Sequence, residues 1–474
     1  MRRTKIIGTI GPASDSREML RKLFLAGLDV VRLNMSHGDH AYLSRIISSI
    51  RKLEKELSNP IAIMVDLQGP RIRTGKLATK SVTLERGQTI QITAEPIVGS
   101  ANKISTNYKS LAKDVKRGDK ILLDNGFIEL QVVRVSGKNV YCRVIEGGEL
   151  GERKGINLPG IKLSTPTLTQ KDRKDLRFAI RQKVEYLSVS FVRSPNDIQE
   201  IKKLIKKSRA DIQVIAKIEK PEAVKNIDKI IDVSDGIMIA RGDLGVEMSA
   251  ENVPVIQKEI IAKCNRKGKL VITATQMLES MIEKMRPTRA EASDVANAVF
   301  DGSDALMLSG EVAVGRHPLQ TVLTMSRIAR EAEKTIIREK NVVEMLDLEV
   351  FCVASAVGHA AASLVEDLMA EAVVTFTTSG STALLISKYR PDPPIYAMTT
   401  SIKVARKASL YWGLKPIIVK KFKSTDEMFA VAEKILLSLK VVKKGDIILT
   451  IAGVPTGKPG ATNLLKIQRI GELK

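Results

Sequence analysis

The 474-residue sequence predicts an α/β fold in three parts: a closed (β/α)8 barrel of the TIM type, a small β-barrel lid inserted into it, and an open α/β domain at the C-terminus. Three observations carry this prediction. Short apolar segments alternate with helical patterns over the first 70 residues and again over residues 175–335. Strands apolar on both faces and separated by helices make a parallel sheet, and eight such units close into a barrel. Between them, residues 71–160 change to a period of two, which belongs to antiparallel strands with one wet face. Beyond residue 340 a new series of helices and apolar strands begins, enough for a domain of its own.

The eight barrel strands are read as residues 4–10 (TKIIGTI), 29–34 (DVVRLN), 61–67 (IAIMVDL), 186–191 (YLSVSF), 214–219 (VIAKIE), 236–241 (GIMIAR), 270–275 (LVITAT) and 305–310 (ALMLSG). The barrel domain is therefore expected over residues 1–70 and 160–339. The lid, residues 71–159, contains SVTLERGQTIQIT and DKILLDNGFIELQVVRVSGKNVYCRV. Asp124, Asn125 and Gly126 mark one hairpin turn, and Ser136, Gly137, Lys138 and Asn139 another. The lid grows from the C-terminal end of the third strand, the face on which such barrels carry their active sites. The last domain, residues 340–474, opens with a helix over residues 350–369. Strands follow around AVVTFTT, PPIYAMT, KPIIV and DIILTIAG.

Composition excludes several classes. The chain is 44% hydrophobic and 27% charged, as a globular protein is, with no apolar run long enough to span a membrane. Its basic start, MRRTKIIGTIGPAS, carries Gly and Pro within a short apolar stretch and reads as strand and turn, not a signal peptide. Cys142, Cys264 and Cys352 lie far apart without metal-ligand spacing, as expected of idle thiols in a reducing cytoplasm. The net charge of +23 invites a nucleic-acid reading. The basic residues, however, are spread along helices such as IQEIKKLIKKSRADIQ, and aromatics are only 4%. A solvated surface that gathers anionic substrates is the better reading, with no nucleic acid and no membrane among the partners.

The strand ends hold the chemistry. Arg32 and Asn34, Asp66, Ser190, Lys217 and Glu219, Arg241 and Asp243, Thr275, and Ser309 and Glu311 all converge on one mouth if the barrel closes. Strands become polar wherever they meet loops, but two carboxylates beside a lysine and arginines are costly unless paired or liganded. Lys217 and Glu219 stand two apart and so share a face. Glu219 and Asp243 suit Mg2+ or Mn2+. Gly242 lets backbone approach closely, and the amides of Gly242 and Asp243 suit a carboxylate if a helical turn begins there. Arg32, Arg73 and Lys217 suit phosphate. With no Ser/His/Asp triad and no Walker A motif, the set points to phosphoryl transfer. His37, in NMSHG, is a candidate base or a loop-shaping residue. His317, before Pro318, reads as structural.

These residues sit in motifs that resemble the pyruvate kinase family: TKIIGTIGPAS, VVRLNMSHG, VDLQGPRIRTG, KGINLPG, VIAKIEKPEAV, GIMIARGDLGVE, TATQMLESM, RPTRAEASDVANAVFDGSDALMLSGE and GKPGATN. The resemblance runs over nearly the whole chain. It implies phosphoryl transfer from phosphoenolpyruvate to ADP, giving pyruvate and ATP, the final step of glycolysis, by a cytoplasmic homotetramer. By resemblance, Glu219 and Asp243 are divalent-metal ligands, and Lys217 neutralises the phosphoryl group and the enolate. Arg32 and Arg73 bind phosphate. Thr275, Gly242 and Asp243 hold the substrate carboxylate beside Ser190. Asn34, Ser36, Asp66 and the carbonyl of Leu67 match the monovalent-cation site. Asn34, His37, Arg73 and Lys154 lie near the nucleotide.

Two departures from the family's pattern carry expectations. Arg71 stands where many members have Glu, so a fixed guanidinium replaces part of the charge of K+, and K+ is not strictly required. The loop Thr377, Thr378, Ser379, Gly380, Ser381, Thr382 resembles the family's sugar-phosphate loop but carries Thr378 in place of a lysine. A monophosphate effector, AMP or a hexose phosphate, is expected rather than a bisphosphate. The rival readings are another metal-dependent phosphoenolpyruvate or enolate barrel enzyme, which needs no nucleotide-side residues, and a non-catalytic binding protein.

Overall fold

The computed structural model describes residues 2–161, 163–339, 352–454 and 462–472. All eight apolar segments are strands of one closed barrel: β1 (Lys5–Thr9), β2 (Val30–Asn34), β3 (Ala62–Leu67), β4 (Tyr186–Val189), β5 (Gln213–Ile218), β6 (Gly236–Ala240), β7 (Leu270–Ala274) and β8 (Ala305–Leu308). Each pairs in parallel with the next, and β8 closes on β1 with Ala305 opposite Lys5. Several strands stop short of their expected ends. Ser190, Glu219, Arg241 and Thr275 lie just past the last paired residue, where the chain is free to turn its polar groups into the mouth.

The outer helices explain why the strands are apolar on both faces. In Arg289–Phe300, Val295, Ala298 and Val299 turn inward, and Thr288 and Glu291 close a capping box at the start. Inside, Ile7, Val30, Met64, Tyr186, Ile215, Met238 and Ile272 fill the barrel. That core continues into the C-terminal domain through Ala361, Val373, Leu410 and Tyr411, so this domain seals the end of the barrel opposite the mouth. Tyr186 Oη donates to the Lys407 carbonyl at 2.6 Å, and Glu54 accepts Arg406 Nε at 2.8 Å. Lys388 and Asp304 form a fully buried ion pair across the same junction at 2.5 Å.

The insertion after β3 is mainly β, not all β as expected: a one-turn helix, Leu111–Asp114, and a 3-10 turn, Asp124–Gly126, interrupt its strands. Its strands make a six-stranded sheet and a two-stranded ribbon, Ser81–Leu84 with Gly148–Gly151. Both expected turns are present, joining Lys120–Leu123 to Ile128–Ser136 and Ile128–Ser136 to Asn139–Glu146. A separate core of Ile90, Ile92, Ile121, Leu130 and Val144 holds the lid together. The C-terminal sheet has four parallel strands, Leu414–Ile418, Ile395–Thr399, Ala372–Phe376 and Ile447–Ala452. An antiparallel edge strand, Leu464–Arg469, was not foreseen. The helix expected over residues 350–369 is described from Val353 to Asp367; residues 350 and 351 and most of GKPGATN lie outside the described residues. Cys142 and Cys264 are buried, and burial pushes both thiols up to about 12, while Cys352 is exposed. No described helix is long and apolar enough to cross a membrane.

Candidate active site

The alternation of β5 aims Lys217 and Glu219 at the same spot: Nζ lies 2.8 Å from Glu219 Oε1. Lys217 also donates to Ser190 Oγ at 2.7 Å and stands 3.5 Å from Asp66 Oδ2. Burial pulls its ammonium down, but Asp66 and Glu219 outweigh burial and the net shift is upward, so the cation is secure. Glu219 Oε2 accepts the amide of Phe191 at 2.7 Å. The pair is not symmetric. Glu219 also shifts upward, because burial and the nearby Asp243 charge exceed what Lys217 and the Phe191 amide restore.

Asp66 at the end of β3 is a hub. Arg32 reaches it through Nε at 2.9 Å and again through a second nitrogen, and Ser188 donates at 2.7 Å. Burial pushes the Asp66 carboxyl up, yet Lys217 and Arg32 bring it below its usual range. Arg32 gives its other nitrogen to Thr9 Oγ1 at 2.8 Å, which fixes the guanidinium. Ser190 Oγ donates to the Leu67 carbonyl at 2.8 Å, and Asn34 Oδ1 accepts the Ser36 amide at 3.0 Å.

A helical turn does begin after β6, as Arg241–Glu247. The Gly242 amide donates to Thr275 Oγ1 at 2.8 Å, and a Cβ on Gly242 would sit 3.3 Å from that oxygen. Thr275 passes its own proton to the Ala274 carbonyl at 2.6 Å, and Arg241 holds the Thr275 carbonyl at 3.0 Å. Thr275 (φ 68) and Gln276 (φ 55) are both left-handed. For a β-branched residue that backbone is strained by roughly 1–3 kcal/mol, a cost that recurs at functional sites.

One cavity at the mouth collects Arg32, Asn34, Ser36, Asp66, Leu67, Ser190, Lys217, Glu219, Asp243 and Thr275. Arg71 joins them, beside Asn34, Ser36, Asp66 and Leu67. Arg73 and Lys154 stay with the lid: Arg73 donates to the Arg153 carbonyl at 2.9 Å, and Lys154 pairs with Asp124 at 2.9 Å. His37 stands at the rim, where burial and the charges of Arg71, Arg73 and Arg32 lower its pKa. Glu311 is a brace, accepting the amides of Leu278 and Ser309 at 3.2 and 2.7 Å. In the C-terminal loop, Gly380 (φ 93) donates to Thr377 Oγ1 at 2.8 Å, Ser379 meets Ser381 at 2.9 Å, and Thr382 meets Thr462 at 2.6 Å.

Comparison with known proteins identifies the family and agrees with the fold. A family model described as "Pyruvate kinase, barrel domain" matches residues 1–322, and one described as "Pyruvate kinase, alpha/beta domain" matches residues 355–468. A pyruvate kinase of Clostridium acetobutylicum is 46% identical over 470 residues, 99% of each chain. A pyruvate kinase of Staphylococcus aureus is also 46% identical, covering 100% of this chain and 81% of its own. The crystal structure of a pyruvate kinase from Cryptosporidium parvum superposes with a TM-score of 0.92 at 38% identity, over 99% of this chain and 96% of that one.

Proposed function

The chain belongs to the pyruvate kinase family, and from that premise we propose how its own residues carry phosphoenolpyruvate and ADP to pyruvate and ATP. The observation that supports the assignment is Lys217, a buried ammonium at the barrel mouth, 2.8 Å from one carboxylate and 3.5 Å from another. Arg32, already oriented by Thr9 and Asp66, receives the phosphate of phosphoenolpyruvate, with Arg73 approaching from the lid. Thr275 and the amides of Gly242 and Asp243 receive the carboxylate beside Ser190, which displaces the hydrogen bond from Gly242 to Thr275. As the ADP oxygen attacks in line, Lys217 offsets charge first on the phosphoryl oxygens and then on the enolate. The enolate takes its proton on the Thr275 side through water, since a hydroxyl alone is a poor acid. Asn34, His37, Arg73 and Lys154 attend the nucleotide.

Glu219 and Asp243 are the proposed ligands for Mg2+ or Mn2+. The donor set fits: both are hard oxygens that line the mouth cavity, and no described side chain or amide donates to the Asp243 carboxylate. Among the described residues no acidic, histidine or cysteine side chain joins these two in a three-ligand cage, which suits a cation that keeps waters and substrate oxygens. A bound divalent ion supplies charge neutralisation at the transferring phosphoryl group. Asn34, Ser36, Asp66 and the Leu67 carbonyl are the proposed monovalent-cation ligands, yet each of Asn34, Asp66 and Leu67 already accepts a hydrogen bond from the protein. With Arg71 beside them, K+ is not strictly required.

The loop of Thr377, Thr378, Ser379, Gly380, Ser381 and Thr382 is the proposed effector site, taking AMP or a hexose monophosphate on its hydroxyls. The working assembly is a cytoplasmic homotetramer, and residues 71–159 act as the lid. An ATP-formation assay run with and without divalent metal tests the reading. ATP should appear only with Mg2+ or Mn2+; no ATP with either metal present favours an enolate enzyme that uses no nucleotide.

A further inference from the structure

Glu247 has no part in these roles, yet it is buried, 5% exposed, where the lid meets the mouth. It ends the short helix Arg241–Glu247, whose second and third residues are Gly242 and Asp243. Its Oε1 accepts from two directions: Asn157 Nδ2 of the lid at 2.8 Å and Lys220 Nζ of the barrel at 2.5 Å. Asn157 lies on the lid's last strand, Ile156–Asn157, just before the chain returns to the barrel. Lys220 is the residue after Glu219. The lid turn at Gly126 packs beside Val246 of the same helix. Asn157, Lys220 and Asp243 line one small cavity with Arg71 and Asn125. Glu247 Oε2 is buried with no hydrogen-bond partner, a cost that the contacts of Oε1 must offset.

We propose that Glu247 is a positioning residue: it clasps the seated lid to the two chain segments that carry Glu219 and Asp243. The inference rests on reading those two residues as the divalent-metal ligands. One oxygen serves as the meeting point. The lid's amide, the ammonium next to Glu219 and the helix that begins at Asp243 all converge on it. A packed interior passes a shift at such a point to its neighbours instead of absorbing it. The seated lid therefore fixes Lys220 through Glu247, and the geometry of the two carboxylates is completed only when the lid is down.

The test uses the full chain, Mn2+ alone as the metal probe, followed by electron paramagnetic resonance, and the rate of tryptic cutting within the lid. Asn157→Ala removes only the lid's arm and should speed cutting about tenfold, the weight of one hydrogen bond to a charged acceptor. Glu247→Gln leaves Lys220 without its carboxylate and should both speed cutting and raise the Kd for Mn2+ about tenfold. If that variant does not fold, Glu247→Leu with Lys220→Met removes the charge pair together and should show the same two defects. Wild-type cutting and wild-type Mn2+ affinity in the folded variant overturn the clasp. So does a lowered Tm with Mn2+ affinity unchanged, which would make Glu247 merely structural. Glu219→Gln separates the underlying reading: if it binds Mn2+ as wild type does, the metal assignment fails. If it loses Mn2+ while Glu247→Gln keeps it, the clasp alone fails.

Discussion

Lys217→Met is the sharpest perturbation of the proposed chemistry. Methionine keeps the unbranched stem as far as Cε and removes the ammonium, with its charge and its hydrogen bonds to Ser190 and Glu219. The structure sets both sides of the result. Asp66 keeps Arg32 and the Ser188 hydroxyl, and Glu219 keeps the Phe191 amide. The two carboxylates are thus left with one guanidinium in place of two cations. The expected stability loss is about 3 kcal/mol, the low end for breaking a buried pair, because Arg32 still neutralises Asp66. The catalytic loss is larger. Removing one neutral preorganised donor at a developing oxyanion costs roughly 100- to 1,000-fold, and a buried cation does more, so kcat should fall by at least about 1,000-fold, or ~4 kcal/mol. A coupled ATP-formation assay at saturating metal reads the rate, and thermal melting reads the fold. A folded Lys217→Met protein with kcat within about tenfold of wild type would refute the reasoning.

Three further predictions are independent of that one. Wild-type protein should keep most of its activity when K+ is replaced by tetramethylammonium, and Arg71→Glu should acquire activation by K+. A loss of more than about 90% in the wild type sinks the idea that Arg71 stands in for the cation. Glu291 accepts the amide of Ser280 at 2.7 Å, that of Thr288 at 2.7 Å and both their hydroxyls. Burial pushes its carboxyl up, but these bonds outweigh burial and the net shift is downward. Its contribution is therefore present above the unfolded carboxylate range and is lost as pH falls through the lower folded value. Glu291→Gln should flatten the acid limb of the stability curve; an unchanged limb counts against it. Finally, Glu54→Ala leaves Arg406, at the junction with the C-terminal domain, only the longer contact to Glu185 at 3.7 Å and should cost about 3 kcal/mol in denaturant unfolding. A change below about 1 kcal/mol would show that the junction does not depend on the pair.

Much of this protein was legible in its residues, for stated physical reasons. Period-two and near-continuous apolar runs report which faces are buried, so all eight barrel strands and the switch to the lid could be read before any packing was known. The spacing of Lys217 and Glu219 placed both on one face because strand side chains alternate. The edge strand Leu464–Arg469 escaped because the alternation of LLKIQR is weak where one face meets solvent: its one buried position is the polar Gln468.

Tertiary structure alone decided what required two distant segments to meet. Arg71 and Arg73 are equally basic in sequence, yet Arg71 lines the mouth cavity and Arg73 is tied to the lid. Thr275 and Gln276 carry no mark of their left-handed backbone, which is imposed by Gly242 and Arg241 from the neighbouring strand end. Glu247 reads as one more helix carboxylate. Its role appears only once Asn157, 90 residues away, and Lys220, 27 residues away, arrive at the same oxygen. The sequence by itself determined the barrel and the chemical types at its mouth, since burial and side-chain charge are local properties. Which charges pair was settled by the closure of the barrel and the seating of the lid, since Coulomb and hydrogen-bond energies depend on distances between segments that the sequence does not order in space.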